Sequence, residues 1–185
     1  MIIRGTPRLI LREWKDTDRD LFREINADPK VMEFFPWRRS HEESDTALES
    51  VNNMIRATGY GFYAMELRAT GEPIGFCGVA PANLDGIFPL GTMEIGWRLA
   101  TRFWGHGYVT EAAKSLLVMA FDEKKTPEIV SFAVHDNHRS TAVMRRIGLI
   151  RDPSRDFEHP RVPDTHPHLK LHVTYGLTLE RWQGK

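Results

Sequence analysis

Two glycines within residues 102–108 are the sequence feature best suited to binding chemistry. Gly105 and Gly107 lack a Cβ atom, so a ligand can approach the backbone closely there. The segment directly precedes a long amphipathic stretch. The first turn of a helix offers unpaired N–H groups and a partial positive charge. Together the two features predict a binding site for an anion such as a diphosphate.

The glycine pattern alone leaves a second interpretation open, namely a tight turn between a strand and a helix. Two better-known phosphate motifs are excluded. No Gly-Lys-Ser/Thr follows the segment, so it is not a Walker P-loop. Thr110 occupies the place of the third glycine in the dinucleotide fingerprint.

Hydrophobic periodicity predicts the elements that position this segment. Strands are predicted at residues 8–12, 60–67, 74–79, 93–99, 129–134 and 169–179. Helices are predicted from Asp16 to Asp28, from Ser44 or Asp45 to about residue 57, after residue 108, and from Asp136 or Asn137 to Gly148. The third helix carries a single apolar stripe formed by Val109, Ala112, Ala113, Leu116, Leu117, Ala120 and Phe121. This order predicts an α/β domain on a mixed sheet.

Composition narrows the class of protein. The 185 residues suit one domain, and the 25 basic and 25 acidic residues argue against a general nucleic-acid binder, as does the lack of a basic cluster with interleaved aromatic residues. Cys77 is the only cysteine, so no intrachain disulfide can form. The N-terminal residues lack the long apolar run of a signal peptide, and the sequence has no apolar stretch of about 18 residues that could span a membrane. We therefore expect a cytoplasmic protein.

Several segments together resemble one enzyme family. The pattern Arg102-x-x-Gly105-x-Gly107 is similar to the pyrophosphate motif of the GNAT acetyltransferases. Residues 94–99 before it and 107–112 after it also match, and a second block resembles the family at Asn137, Ser140, Val143, Met144 and Gly148. Residues 6–12 and 172–175 are similar to the Rim-type branch, which acetylates N-termini of ribosomal proteins.

The resemblance implies a single domain over residues 1–185, with a mixed, mostly antiparallel sheet of six to seven strands flanked by about four helices. It also implies acetyl-CoA as co-substrate and an amine that attacks the thioester directly in a ternary complex. The implied cofactor-binding residues are Ile95, Gly96 and Trp97 along the pantetheine, Arg102, Phe103, Trp104, Gly105, His106, Gly107 and Tyr108 around the diphosphate, and Asn137 at the pantetheine arm.

Two residues are predicted to move protons. Glu94 is the candidate general base, and its alternative role is a structural ion pair or a solvated strand position. Met144 stands where many family members have the tyrosine that protonates the departing thiolate, so Ser140 is the candidate acid, with a helix cap as its alternative. The missing tyrosine also motivates a different function, a non-catalytic acyl-CoA-binding regulatory domain.

The remaining clusters have less specific readings. His159, His166, His168 and His172 do not predict a metal site, since only His168 and His172 share a predicted strand face, about 13 Å apart. They line the acceptor pocket or lie on loops. Residues 34–37 contain three aromatic side chains and a proline, and they belong to the core or contact the acceptor. The expected acceptor is a peptide N-terminus or a small-molecule amine. We expect the protein to bind neither nucleic acid nor a membrane. A homodimer is one possible oligomeric state.

Overall fold

The computed structural model describes residues 1–184, which form two compact units. The first unit comprises residues 1–33, 37–79 and 96–116, and the second comprises residues 34–36, 80–95 and those from 117 onward. Nine strands and five α-helices occur in the described residues, and most strand pairs are antiparallel. The predicted mixed α/β fold class is therefore confirmed. Organisation as a single domain stays a prediction.

Four strands of the first unit pair in sequence order, each antiparallel to the next. They are β1 (Ile2–Gly5), β2 (Leu9–Arg12), β3 (Gly61–Leu67) and β4 (Pro73–Pro81), whose last two residues belong to the second unit. The sequence predicted β2 but missed β1, because its four residues are partly or fully exposed and lack an alternating pattern.

Three helices belong to the first unit: α1 (Arg19–Ala27), α2 (His41–Thr58) and α3 (Tyr108–Val118), whose last two residues belong to the second unit. The predicted start of α2 at Ser44 or Asp45 is wrong, since the helix begins at His41. Ser40 and Glu43 form a capping box in which each side chain accepts the other's backbone N–H, and this fixes the earlier start. Apolar side chains of α1 and α2 pack with Trp14 and Phe76 in one buried cluster.

The second unit holds the first three residues of β5 (Met93–Leu99) and four further strands. These are β6 (Glu128–Val134), β7 (Ile150–Arg151), β8 (Phe157–Glu158) and β9 (Leu171–Thr178). β5 and β6 run parallel, whereas β6, β7 and β8 all pair antiparallel with β9. The short β7 and β8, together with β1, explain why the described residues contain more strands than predicted.

Both ends of the predicted last strand differ from the structure. Leu169 lies in a 3-10 turn, and Leu179 begins a short helix, α5 (Leu179–Gln183), which is capped by the Thr178 side chain. The helix α4 (His138–Arg146) begins after Asn137, as predicted. In the described chain, no helix has the length and hydrophobicity to cross a membrane.

Candidate active site

The glycine segment divides into a closed part and an open part. A 3-10 turn at Thr101–Phe103 uses the amide of Phe103, which donates to Ala100 O at 3.0 Å, and the amide of Trp104, which donates to Thr101 O at 3.1 Å. Both amides are therefore engaged by the protein's own backbone. The predicted diphosphate role of the Phe103 and Trp104 amides stays a prediction, and it requires exchange of these partners.

The open part begins at Gly105. Gly105 and Gly107 adopt positive φ angles of 82° and 76°, a region that L-residues rarely enter, so glycine is required by the backbone at both positions. Within residues 1–184, no hydrogen-bond acceptor contacts the amides of residues 105–110. The last three of these amides form the first turn of α3, where the helix supplies no internal acceptor. Six N–H donors thus stand in one continuous stretch of backbone.

Side chains around this stretch make contacts of their own. Arg102 forms an ion pair with Glu24 and lies over the Phe103 ring, with its guanidinium carbon 4.9 Å from the ring centroid. The Trp104 indole donates to Leu99 O at 2.8 Å. The His106 ring stacks on Tyr108 at 5.5 Å between centroids. Arg102 is thus already paired within the protein, so its predicted cofactor role requires exchange of that partner.

The predicted pantetheine strand is β5. Gly96 and Trp97, in the first unit, are partly exposed, and a Cβ atom at residue 96 would lie 3.2 Å from the Phe62 ring. The close ring is a packing reason for glycine that the sequence did not reveal. Ile95, in the second unit, is buried, and its carbonyl accepts a hydrogen bond of 2.9 Å from Ser131 Oγ.

Glu94 is a carboxyl group with an unusual titration. Burial raises its pKa to about 8, although the positive charge of Arg161 acts in the opposite direction. Glu94 is the register partner of Val130 in the parallel β5–β6 pair, so both side chains lie on the same sheet face. No salt bridge to Glu94 occurs in the described part of the chain. The structural ion-pair alternative therefore has no support there, and this carboxyl can exchange a proton near neutral pH.

Two histidines of the second unit lie close together and pack against aromatic side chains. The rings of His159 and His172 lie 4.8 Å apart, and His172 stacks on Phe157 at 5.5 Å. Phe132 lies 6.2 Å from His172. Sequence reasoning missed this pairing because His159 sits in a loop, and only the alignment of β8 with β9 brings the two rings together.

Both imidazoles are neutral at pH 7. Burial, followed by the charges of His172 and Arg161, lowers the pKa of His159 to about 4, and burial also lowers the pKa of His172. His159 Nδ1 accepts from the Arg161 amide at 3.2 Å, whereas His172 Nδ1 lies 2.9 Å from the Lys170 carbonyl, to which it donates. In the neutral rings, these contacts place the proton on Nε2 of His159 and on Nδ1 of His172.

The other two histidines lie elsewhere. His166 and His168 are 6.1 Å apart, and His168 belongs to the 3-10 turn Pro167–Leu169. The prediction that His168 and His172 share a strand face is therefore wrong. In residues 1–184, no group of three histidine, cysteine or acidic side chains has the spacing of a metal site.

The second family block forms the start of α4. The side-chain oxygen of Asn137 accepts from the amide of Ser140 at 3.1 Å and caps the helix. A contact from Asn137 to pantetheine would therefore use its side-chain NH₂ group. Ser140 is partly exposed, and its hydroxyl makes no hydrogen bond within the described residues. Met144 is buried and has no proton to donate.

The aromatic run and the cysteine are structural in large part. Phe34 packs with Val134, Val162 and Leu169. Trp37 is among the exposed large side chains. Cys77 is fully buried on β4, and burial raises the pKa of its thiol well above the usual range. A buried thiol of this kind is a poor nucleophile.

Comparisons with known proteins agree with this geometry. Residues 8–150 match the family model described as "Acetyltransferase (GNAT) domain". The chain is 32% identical over 148 residues to the uncharacterized protein YkkB of Bacillus subtilis, covering 78% of this chain and 83% of that protein. It is 28% identical over 182 residues to FsC-acetyl coenzyme A-N(2)-transacetylase of Aspergillus fumigatus, covering 96% of this chain and 76% of that protein.

A solved structure extends the likeness to the fold. RimL, a ribosomal L7/L12 alpha-N-protein acetyltransferase in complex with coenzyme A, has a TM-score of 0.75 to this chain and 17% sequence identity. The similarity covers 98% of this chain and 99% of that one. At this identity the likeness concerns the fold alone.

Proposed function

Because the chain belongs to the GNAT acetyltransferase family, we propose that it transfers the acetyl group of acetyl-CoA to a primary amine. An acetyl-CoA-dependent acyltransferase follows from the family itself. The amine acceptor and the direct attack in a ternary complex are the proposal. The observation that carries it is the run of six amides at residues 105–110 that have no acceptor within residues 1–184, which suits a diphosphate.

Acetyl-CoA supplies a thioester carbonyl, and the chain supplies its position. The amides of residues 105–110 hold the diphosphate, while the backbone of residues 95–97 runs beside the pantetheine and Asn137 donates to it. Holding both reactants together replaces an unfavourable bimolecular encounter by a reaction between neighbours. Arg102 contributes only if it leaves Glu24.

Proton transfer is assigned to Glu94. Its carboxylate accepts the proton of the incoming ammonium group, whose nitrogen then attacks the carbonyl carbon. A carboxyl with a pKa of about 8 suits this task better than an ordinary glutamate, because it binds the proton more strongly. The thiolate of coenzyme A leaves as the amide forms. The nitrogen gives up its second proton to solvent. The thiolate is protonated by solvent directly or by the Ser140 hydroxyl, which recovers its proton from solvent.

One named relative supports nitrogen as the acceptor atom, since it is called an N(2)-transacetylase. A name of this kind gives the acceptor atom but not the size of the acceptor, so we assign a primary amine. A peptide N-terminus and a small amine both satisfy it.

The proposal is tested by incubating the purified protein with acetyl-CoA and a panel of amines. The panel contains peptides with free N-termini, a polyamine, an aminoglycoside and free amino acids. We expect amine-dependent release of free thiol, together with a product that carries one acetyl group and resists hydroxylamine, as amides do. Tight coenzyme A binding without turnover on any amine would contradict the proposal and favour a binding domain. A hydroxylamine-labile product would indicate an alcohol acceptor instead.

A further inference from the structure

We infer that Arg8 is a positioning residue that orients the phosphate-binding backbone of residues 105–110. This inference rests on the proposed function of that backbone. Arg8 lies in the turn between β1 and β2, about a hundred residues away in sequence. It belongs to residues 6–12, which resemble the Rim-type branch, but that resemblance assigned it no role.

Arg8 is anchored before it reaches the loop. Its Nε donates to Glu111 Oε2 at 2.6 Å, and its backbone amide donates to Glu111 Oε1 at 2.9 Å. The Thr6 hydroxyl donates to the same Oε1 at 2.6 Å. Glu111 belongs to the first turn of α3, and these donors lower the pKa of its carboxyl despite partial burial. The β1–β2 turn is therefore fastened to the start of α3.

The rest of the guanidinium group grips the loop itself. Arg8 Nη1 donates to the carbonyl oxygen of His106 at 2.9 Å, and the guanidinium carbon lies 4.7 Å from the centroid of the Tyr108 ring. One planar side chain thus joins Glu111 to both flanks of Gly107. A lysine, with a single nitrogen, cannot make the same pair of directed contacts.

The carbonyl contact determines where an unpaired amide points. In a planar trans peptide the C=O and the following N–H point in opposite directions. When Arg8 holds the His106 carbonyl, the Gly107 N–H must therefore point away from Arg8. That N–H has no acceptor in the described residues. Glycine permits a wide range of backbone angles, and Gly107 itself has a positive φ. The orientation of the peptide group between His106 and Gly107 therefore needs a restraint from outside the loop, and Arg8 supplies it.

The test compares three variants by their affinity for coenzyme A. Arg8→Ala removes the restraint, and Arg8→Lys keeps the charge but not the fork. The matched control is Arg68→Ala. The exposed Arg68 binds the same turn, since its Nε donates to Thr6 O at 2.6 Å, but within the described residues it makes no hydrogen bond to residues 105–110.

We expect Arg8→Ala to weaken coenzyme A binding about tenfold by calorimetry, the loss typical of one charge-assisted hydrogen bond. Arg8→Lys recovers less than half of that loss in free energy, and Arg68→Ala stays at the wild-type affinity. With S-acetylpantetheine, which lacks the diphosphate, kcat/KM is the same in Arg8→Ala and the wild type. A general loss of structure would reduce the rates with both acyl donors.

The inference is overturned by wild-type affinity in Arg8→Ala, by full recovery in Arg8→Lys, or by equal losses with the two acyl donors. The proposed function fails separately. A wild type that binds coenzyme A in an Arg8-dependent way but acetylates no amine would refute amine transfer and leave the inference standing. A wild type that does not bind coenzyme A refutes both.

Discussion

Two regions of the molecule, one in each unit, present different chemical groups. In the first unit, residues 105–110 present backbone N–H donors whose charge does not change with pH. In the second unit, Glu94 and His159 are partly buried and His172 is buried, and burial raises the pKa of Glu94 and lowers the pKa of both histidines. A backbone site is specified by local geometry, whereas a side-chain site is specified by its surroundings. The two regions should therefore respond differently to substitution and to pH.

The largest effect is expected in the backbone region. In Gly105→Trp, a side chain at a positive φ angle covers the amides, and we expect acetyl-CoA affinity to fall by about 100-fold or more, the equivalent of two charge-assisted hydrogen bonds. Gly71→Trp is the matched control. Gly71 has a φ of 72°, close to the 82° of Gly105, and a Cβ atom at either residue meets nothing within 4 Å.

Both variants should lose similar stability in thermal melts, because both place an L-residue in the same strained region. Only Gly105→Trp should lose affinity, as measured by calorimetry. Equal affinities in the two variants would contradict the backbone site.

A loss that reaches a similar size only near pH 7 and becomes smaller as the pH rises is expected for Glu94→Gln. The wild-type kcat/KM should rise with pH up to an apparent pKa of about 8 and then level off, because the carboxyl must be ionised to accept a proton. In Glu94→Gln the rate should instead follow the neutral fraction of the amine, which for an alkylamine increases beyond pH 9. The loss is thus greater at pH 7, at about 100-fold, than at pH 9.

Glu180→Gln, an exposed carboxyl in the same unit, serves as the control and should match the wild type. Two results would argue against a general base. In one, kcat/KM of Glu94→Gln still rises with pH and levels off near pH 8. In the other, the loss of kcat/KM is the same at pH 7 and pH 9.

These two experiments also mark how much the sequence could predict. Gly105, Gly107 and the stripe of α3 are close together in the chain, and their geometry follows from local rules, so the loop and the helix were predicted. The approach of His159 to His172 depends on the pairing of β8 with β9, which no periodic pattern announces. The prediction of the start of α2 was wrong for a related reason, since Ser40 and Glu43 precede the apolar positions that indicated the helix.

The smallest effect is a change in acid stability. The folded pKa of His159, about 4, lies below its ordinary value of 6.5, so the native state binds fewer protons than the unfolded state between these two values. Stability should therefore fall as the pH drops from 6.5 to 4. His159→Gln removes this contribution. Between pH 7.5 and pH 4.5 we expect the Tm of this variant to decrease less than the Tm of the wild type. The difference between the two decreases should be about 3 °C, which corresponds to roughly 1 kcal/mol in a chain of this size.

The exposed His168 provides the comparison, because His168→Gln should show the wild-type dependence on pH. An unchanged acid-induced decrease in Tm for His159→Gln would show that this imidazole is not held neutral by its surroundings.

Binding of the co-substrate is proposed to depend most on the amides of residues 105–110, which hold its diphosphate. The most direct measurement is a ¹H–¹⁵N spectrum of the labelled protein, titrated with coenzyme A and, separately, with pantetheine, which lacks the diphosphate. We predict that coenzyme A shifts the Gly105 and Gly107 amide resonances downfield, whereas pantetheine leaves them in place. Saturating coenzyme A that leaves both glycine resonances unmoved would contradict the central claim.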